Sequence, residues 1–152
     1  MKAIKQLFIK ITKKLNEKGV VPTIYGSLGL SLKLNKLIDI NDIDFLVKDS
    51  REFNVCKKLL VDLNFKIDPD HSRELIGKIA NISFLDISEV EKLIGEKLRL
   101  EKNLYHGVDF KNIGISQYLK IYKEGLKNKY RKEKKTIDDE KKIKLIIEGK
   151  VR

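Results

Sequence analysis

The chain holds one cysteine, two histidines and no long apolar run, and each scarcity closes a route. Cys56 cannot form an internal disulfide and has no CxxC partner, so it reads as a small buried residue and a cytoplasmic setting is expected. No apolar stretch approaches the roughly 18 residues that span a bilayer. Lysines interrupt the N-terminus where the apolar region of a leader would stand, so no membrane partner is expected. His71 and His106 lie 35 residues apart without metal-ligand spacing and read as loop histidines. Neither a Ser-His-Asp nor a Cys-His pattern stands out, which argues against nucleophilic hydrolysis. No GxxxxGK(S/T) run exists, which excludes a P-loop.

What is present is charge, unevenly placed. The net charge of +11 divides into +5 over residues 1–22, −1 over 23–114 and +7 over 115–152. Basic ends around a carboxylate-bearing centre suit a polyanionic partner. Lys outnumbers Arg 28 to 5 and Gln occurs twice, so the excess also fits AT-rich coding or a thermophilic source. A length of 152 residues, 41% hydrophobic and 36% charged, indicates a folded chain with one sizeable core.

Patterning alternates helices with strands. Ile4, Leu7, Phe8, Ile11 and Leu15 share one face of a helix over 2–18, ended by Gly19. Val20 to Tyr25 reads as a buried strand, 28–37 as a short leucine-rich helix and Ile43 to Val47 as a second strand. Asp49-Ser50 caps a helix over 51–63, Phe65 to Ile67 is a brief strand, and DPDHSRE is a polar loop. Ile79 to Ile87 alternates as a further strand, and Ser88 with Glu91 makes a capping box for the next helix. Leu104 to Ile113 reads as a hairpin or strand, and the chain from Ser116 onward is helical, interrupted by KNKYRKEKK. The expected class is α/β (α+β), a mixed sheet flanked by helices over 1–114 with a basic helical segment over 115–152 packed on the same domain. Tyr118, Tyr122 and Tyr130 interleave with lysines as nucleic-acid stacking platforms do, although spacings of 4 and 8 equally make one helix face against a core.

The stretch YGSLGLSLKLNKLIDINDIDFLV, residues 25–47, carries the chemistry. Residues i and i+2 of a strand share a face, so Asp42 and Asp44 project side by side with Ile43 on the other face. Like charges so close are costly unless a cation lies between them. Adjacent hard oxygen donors suit Mg²⁺, whose octahedron is completed by waters and phosphate oxygens. A third acid would complete a two-metal site, and Asp86 in ISFLDIS has the setting of an exposed strand end. Gly26-Ser27 lies between a strand and a helix, where backbone N–H groups can face a phosphate without an intervening Cβ.

Gly26-Ser27, a leucine-rich helix, Asp42-Ile43-Asp44 on the next strand and Asp86 on a later one resemble the DNA polymerase β-like nucleotidyltransferase superfamily. The nearest likeness is to its minimal and abortive-infection-type members. The resemblance covers about residues 20–90 and extends loosely to SQYLKIYK at 116–123. It implies a nucleotidyltransferase-like sheet and a role for each matched position. Asp42 and Asp44 would hold two Mg²⁺ ions, and Asp86 would ligate one and help deprotonate the attacking hydroxyl. Gly26 and Ser27 would cradle the triphosphate, and Lys123 would contact it, with Lys120 and Lys127 competing for that place.

The implied reaction moves a nucleoside monophosphate from an NTP to a hydroxyl, with the metals stabilising charge on the attacking and leaving oxygens. RNA, tRNA above all, is the first acceptor because the basic ends flank the site; a protein side chain or a small antibiotic follows. The alternative is a non-catalytic module on the same scaffold that binds a protein or RNA, such as a toxin–antitoxin component. Surface attachment to a membrane through residues 2–18 is weaker, since Phe8 is the helix's one aromatic.

Overall fold

The computed structural model describes residues 2–127 and 133–151, and side chains through 127 and over 138–149. Tyr130 and the middle of the KNKYRKEKK run lie outside the described residues. In chain order the elements are α1 (Lys2–Glu17), β1 (Thr23–Tyr25), α2 (Gly26–Leu34), β2 (Asp42–Val47), α3 (Ser50–Asp62), β3 (Lys66–Ile67) and β4 (Glu74–Ile76). They continue with β5 (Asn81–Asp86), α4 (Ile87–Ile94), β6 (Leu100–Tyr105), β7 (Val108–Ile113), α5 (Ile115–Lys127) and α6 (Glu133–Val151). The strands form one mixed sheet in the order β3-β4-β5-β2-β1-β7-β6.

Strand alternation divides the core between two faces. On one face, Phe8, Ile11 and Leu15 of α1 and Phe53, Leu59 and Leu60 of α3 bury Ile43, Phe45, Val47, Leu75, Ile82 and Phe84. Phe8 centres this layer, stacked on Phe45 at 6.2 Å and edge-on to Phe110 at 5.2 Å. The other face buries Leu30, Leu46, Val90, Ile113, Tyr118, Ile121 and Ile146. Among the described residues no helix is long and apolar enough to cross a membrane.

Local chemistry sets the element ends. Gly19 takes φ +78 just beyond α1, where its N–H donates to the Asn16 carbonyl at 2.9 Å. Asp49 caps α3 by accepting from the Glu52 N–H at 2.9 Å. Three sequence expectations change. The polar loop DPDHSRE runs at its last residue into β4, which the sequence reading did not assign: Glu74–Ile76 alternates exposed, buried, exposed around the fully buried Leu75. α4 starts directly at Ile87, so Ser88 lies inside the helix and no capping box forms; the Glu91 carboxylate instead accepts from the Leu98 N–H at 2.8 Å. α2 likewise begins on Gly26 with no intervening loop.

Candidate active site

The register of β1 on β2 builds the site. Tyr25 pairs directly with Asp44, so the chain leaves β1 beside that carboxylate and turns at once into α2. Gly26 makes the turn at φ +67, in the left-handed region that favours glycine. A Cβ there would overlap the Asp44 carboxylate oxygen Oδ2, so a second reason for glycine is contact with the site itself. The N-cap residue Tyr25 makes no side-chain cap, and the N-terminus of α2, with the positive end of its dipole, borders the cleft at Gly26 and Ser27.

Asp42 is exposed and Asp44 half-buried, on the same face of β2, their Cα atoms about 7 Å apart along the strand. Gly26, Ser27, Asp42 and Asp44 line one cleft of about 730 Å³. Its far wall is α5 and α6, contributing Tyr122, Asp138, Asp139, Lys141 and Lys142. The structure therefore brings together four of the six residues singled out from sequence.

The other two lie elsewhere. Asp86 pairs with Val47, an odd number of residues beyond the Asp44–Ser83 pair, and so points to the opposite face of the sheet. There it binds the Arg73 guanidinium at 3.1 Å, which in turn lies 4.2 Å above the Phe53 ring centroid. The residue beside Asp44 on β5 is Ser83. Lys123 is exposed on α5 and does not line the cleft, and its rivals Lys120 and Lys127 bind Glu96 at 2.8 Å and Glu124 at 3.0 Å. The lysines that do face the cleft, Lys141 and Lys142, sit in a lysine-rich helix whose sequence gives them no distinguishing signal.

A buried polar network holds α2 in place. Asn112 Nδ2 donates to the Gly29 carbonyl at 2.9 Å, while its Oδ1 accepts from the Tyr118 hydroxyl at 2.6 Å and the Ile113 N–H at 2.9 Å. These bonds fix α2 to β7 and α5. Burial, with the neighbouring phenols Tyr122 and Tyr25 and the Asp44 carboxylate, holds the Tyr118 hydroxyl well above the ordinary phenol range. Tyr25, Tyr118 and Tyr122 stack at 6.4 and 6.2 Å, and Lys142 Nζ lies 5.1 Å from the Tyr122 centroid. Thus α6 is tied to the tyrosine column beside Asp44.

Among the described residues no group of three or more His, Cys, Asp or Glu side chains is arranged to hold a metal ion. Asp42 and Asp44 nonetheless fit Mg²⁺, which commonly takes one or two carboxylates and fills its remaining positions with water and phosphate oxygens.

Sheet order and the strand-to-helix turn define the class: this chain has the nucleotidyltransferase fold. It is similar to an antigenic nucleotidyltransferase-like protein from Paracoccidioides brasiliensis, with a TM-score of 0.64 over 95% of this chain and 75% of that one, at 14% identity. It is also similar to ANT(2")-Ia, solved in complex with adenylyl-2"-tobramycin, with a TM-score of 0.59 over 97% of each chain at 12% identity. In sequence it is 29% identical over 144 residues to the uncharacterized protein YnaI of Bacillus subtilis (strain 168), covering 91% of this chain and 92% of that protein. No protein-family model matches.

Proposed function

We propose that the protein is a Mg²⁺-dependent nucleotidyltransferase that moves a nucleoside monophosphate from an NTP to a hydroxyl acceptor. The observation that carries this is the cleft in which the N-terminus of α2 at Gly26-Ser27 meets the Asp42/Asp44 pair. Helix N–H groups and dipole favour the triphosphate. The carboxylates Asp39, Asp42, Asp44, Asp138 and Asp139 outnumber Lys141 and Lys142 around the cleft, so a bare triphosphate would meet net negative charge. Asp42 and Asp44 would hold Mg²⁺, two ions in the full arrangement, supplying charge neutralisation at the phosphates. Lys141 and Lys142, which line the cleft where Lys123 does not, would meet the phosphate oxygens.

RNA, tRNA in particular, is the favoured acceptor, supported by the net charge of +7 over residues 115–152; at the cleft wall itself that segment contributes two acids, Asp138 and Asp139, and two lysines, Lys141 and Lys142. The basic face of α1 lies behind the sheet, on the layer opposite the Asp pair, and does not border the cleft. A protein side chain is the next choice, and a small antibiotic, such as the tobramycin adenylylated in the ANT(2")-Ia complex, follows. One observation favours the alternative, a non-catalytic binding module of toxin–antitoxin or abortive-infection type: Asp86, the expected third acid, is turned away from the pair.

The test is transfer of label from each α-labelled NTP to total tRNA in the presence of Mg²⁺, for wild type and Asp44→Asn. Label on tRNA that disappears in the variant is the expected result. Equal labelling by both proteins would remove the Asp pair from the chemistry.

A further inference from the structure

Asp44 and Tyr25 line a second cavity, of about 540 Å³, on the side away from α2. Its floor is Ser83 and Leu85 of β5, and its rim is the 70–74 segment ending in β4. The strand registers align three side chains across this floor. Asp44 pairs with Ser83 in parallel β2 and β5, and Ser83 pairs with Glu74 in antiparallel β5 and β4. Directly paired residues share a face, so Asp44, Ser83 and Glu74 form a row, the two acids about 10 Å apart at Cα. A serine between two carboxylates leaves open space above it.

We propose that this second cavity admits the acceptor and that Glu74 is the catalytic base for its hydroxyl. The proposal rests on the nucleotidyltransferase function argued above. With the nucleotide in the α2 cleft and the acceptor in the neighbouring cavity, Asp44 stands at their junction, as in-line displacement requires. The acceptor oxygen forms a bond to the α-phosphorus, the bond from that phosphorus to the bridging oxygen breaks, and pyrophosphate leaves. The hydroxyl proton passes to the Glu74 carboxylate.

Other groups around the cavity are less suited. Asp86 lies on the opposite face, bound to Arg73, and that same bond turns Arg73 toward Phe53. The Asp70 and His71 backbone N–H groups are held by Asp68, through its side chain at 2.8 Å and its carbonyl at 3.3 Å, in a loop outside the strand row. Glu74 alone combines a carboxylate, exposure and a fixed strand position in line with Asp44.

The experiment measures pyrophosphate released from ATP, GTP, CTP and UTP with Mg²⁺ and total tRNA, using wild type, Glu74→Gln, Glu74→Asp and Asp86→Asn. Thermal stabilisation by the same nucleotides is followed in parallel. Glu74→Gln is nearly isosteric and should lower kcat about 100-fold or more, the usual worth of a general base, with the NTP KM and the nucleotide-dependent stabilisation unchanged. Glu74→Asp should recover part of the loss. A fully active Glu74→Gln overturns the proposal, as does a Glu74→Gln protein that no longer binds nucleotide. Wild type that binds nucleotide yet releases no pyrophosphate overturns it too. Wild type that binds no nucleotide sinks the transferase function itself, and the proposal with it.

Discussion

Replacing Gly26 by alanine separates backbone strain from damage to the site. Gly26 and Gly19 both occupy the left-handed region, at φ +67 and +78. A side chain in that region costs roughly 1–2 kcal/mol. In a chain of this size 1 kcal/mol is about 2–4 °C in Tm, so each alanine should lower Tm by about 2–8 °C. Their surroundings differ. A Cβ at Gly19 meets nothing within 4 Å, whereas one at Gly26 overlaps the Asp44 carboxylate. The overlap is with the movable end of a side chain, so it adds little to the stability loss, but Asp44 must rotate away. With Asp44 in its proposed role, a displacement of even 1 Å can cost on the order of 100-fold. Nucleotide with Mg²⁺ at a hundredfold excess over Kd stabilises by about 2.7 kcal/mol. Gly19→Ala should keep that increment and Gly26→Ala should lose most of it, as measured by thermal unfolding with and without nucleotide. Equal increments in the two variants would refute the placement of Asp44 against Gly26.

Three further outcomes follow from the packing. Phe8→Ala removes a fully buried ring packed between Phe45 and Phe110, and should cost about 3–5 kcal/mol in denaturant unfolding. Gly29→Ala sets a methyl against the buried Tyr118 hydroxyl; overpacking of this kind costs about 1–3 kcal/mol, read as a fall in Tm that Tyr118→Phe should partly relieve. Burial first, and the Glu52 charge second, push the Cys56 thiol from 9.0 up to about 12. The native protein should therefore resist thiol reagents at pH 8 and react fully once unfolded, and fast native labelling would contradict its burial. Because the folded value lies above the unfolded one, stability linked to this thiol is complete below pH 9 and falls as pH rises toward 12.

The elements with strong periodicity were legible in the sequence. α1 and α3 follow their apolar faces and caps, and the Asp42-Ile43-Asp44 alternation fixes which side of β2 is polar. β4 escaped because three residues are too few to show a period, and its single buried position, Leu75, sits among charges. Asp86 was misplaced for a different reason. Its strand was foreseen, but the face of a residue depends on register with β2, and one residue of register reverses it. The same ambiguity hid Glu74, whose alignment with Asp44 runs through two strand pairs. Lys141 and Lys142 reach the cleft only because α6 packs over α5, a long-range contact that a uniform lysine pattern does not encode.

The most direct measurement is thermal unfolding with each NTP, with and without Mg²⁺, for wild type and for Asp42→Ala/Asp44→Ala. A cleft that binds metal-bound triphosphate predicts an increase in Tm that requires Mg²⁺, favours particular NTPs and vanishes in the double variant. A shift of equal size in the variant, or none with any nucleotide in wild type, would contradict the assignment of this cleft as a nucleotide site.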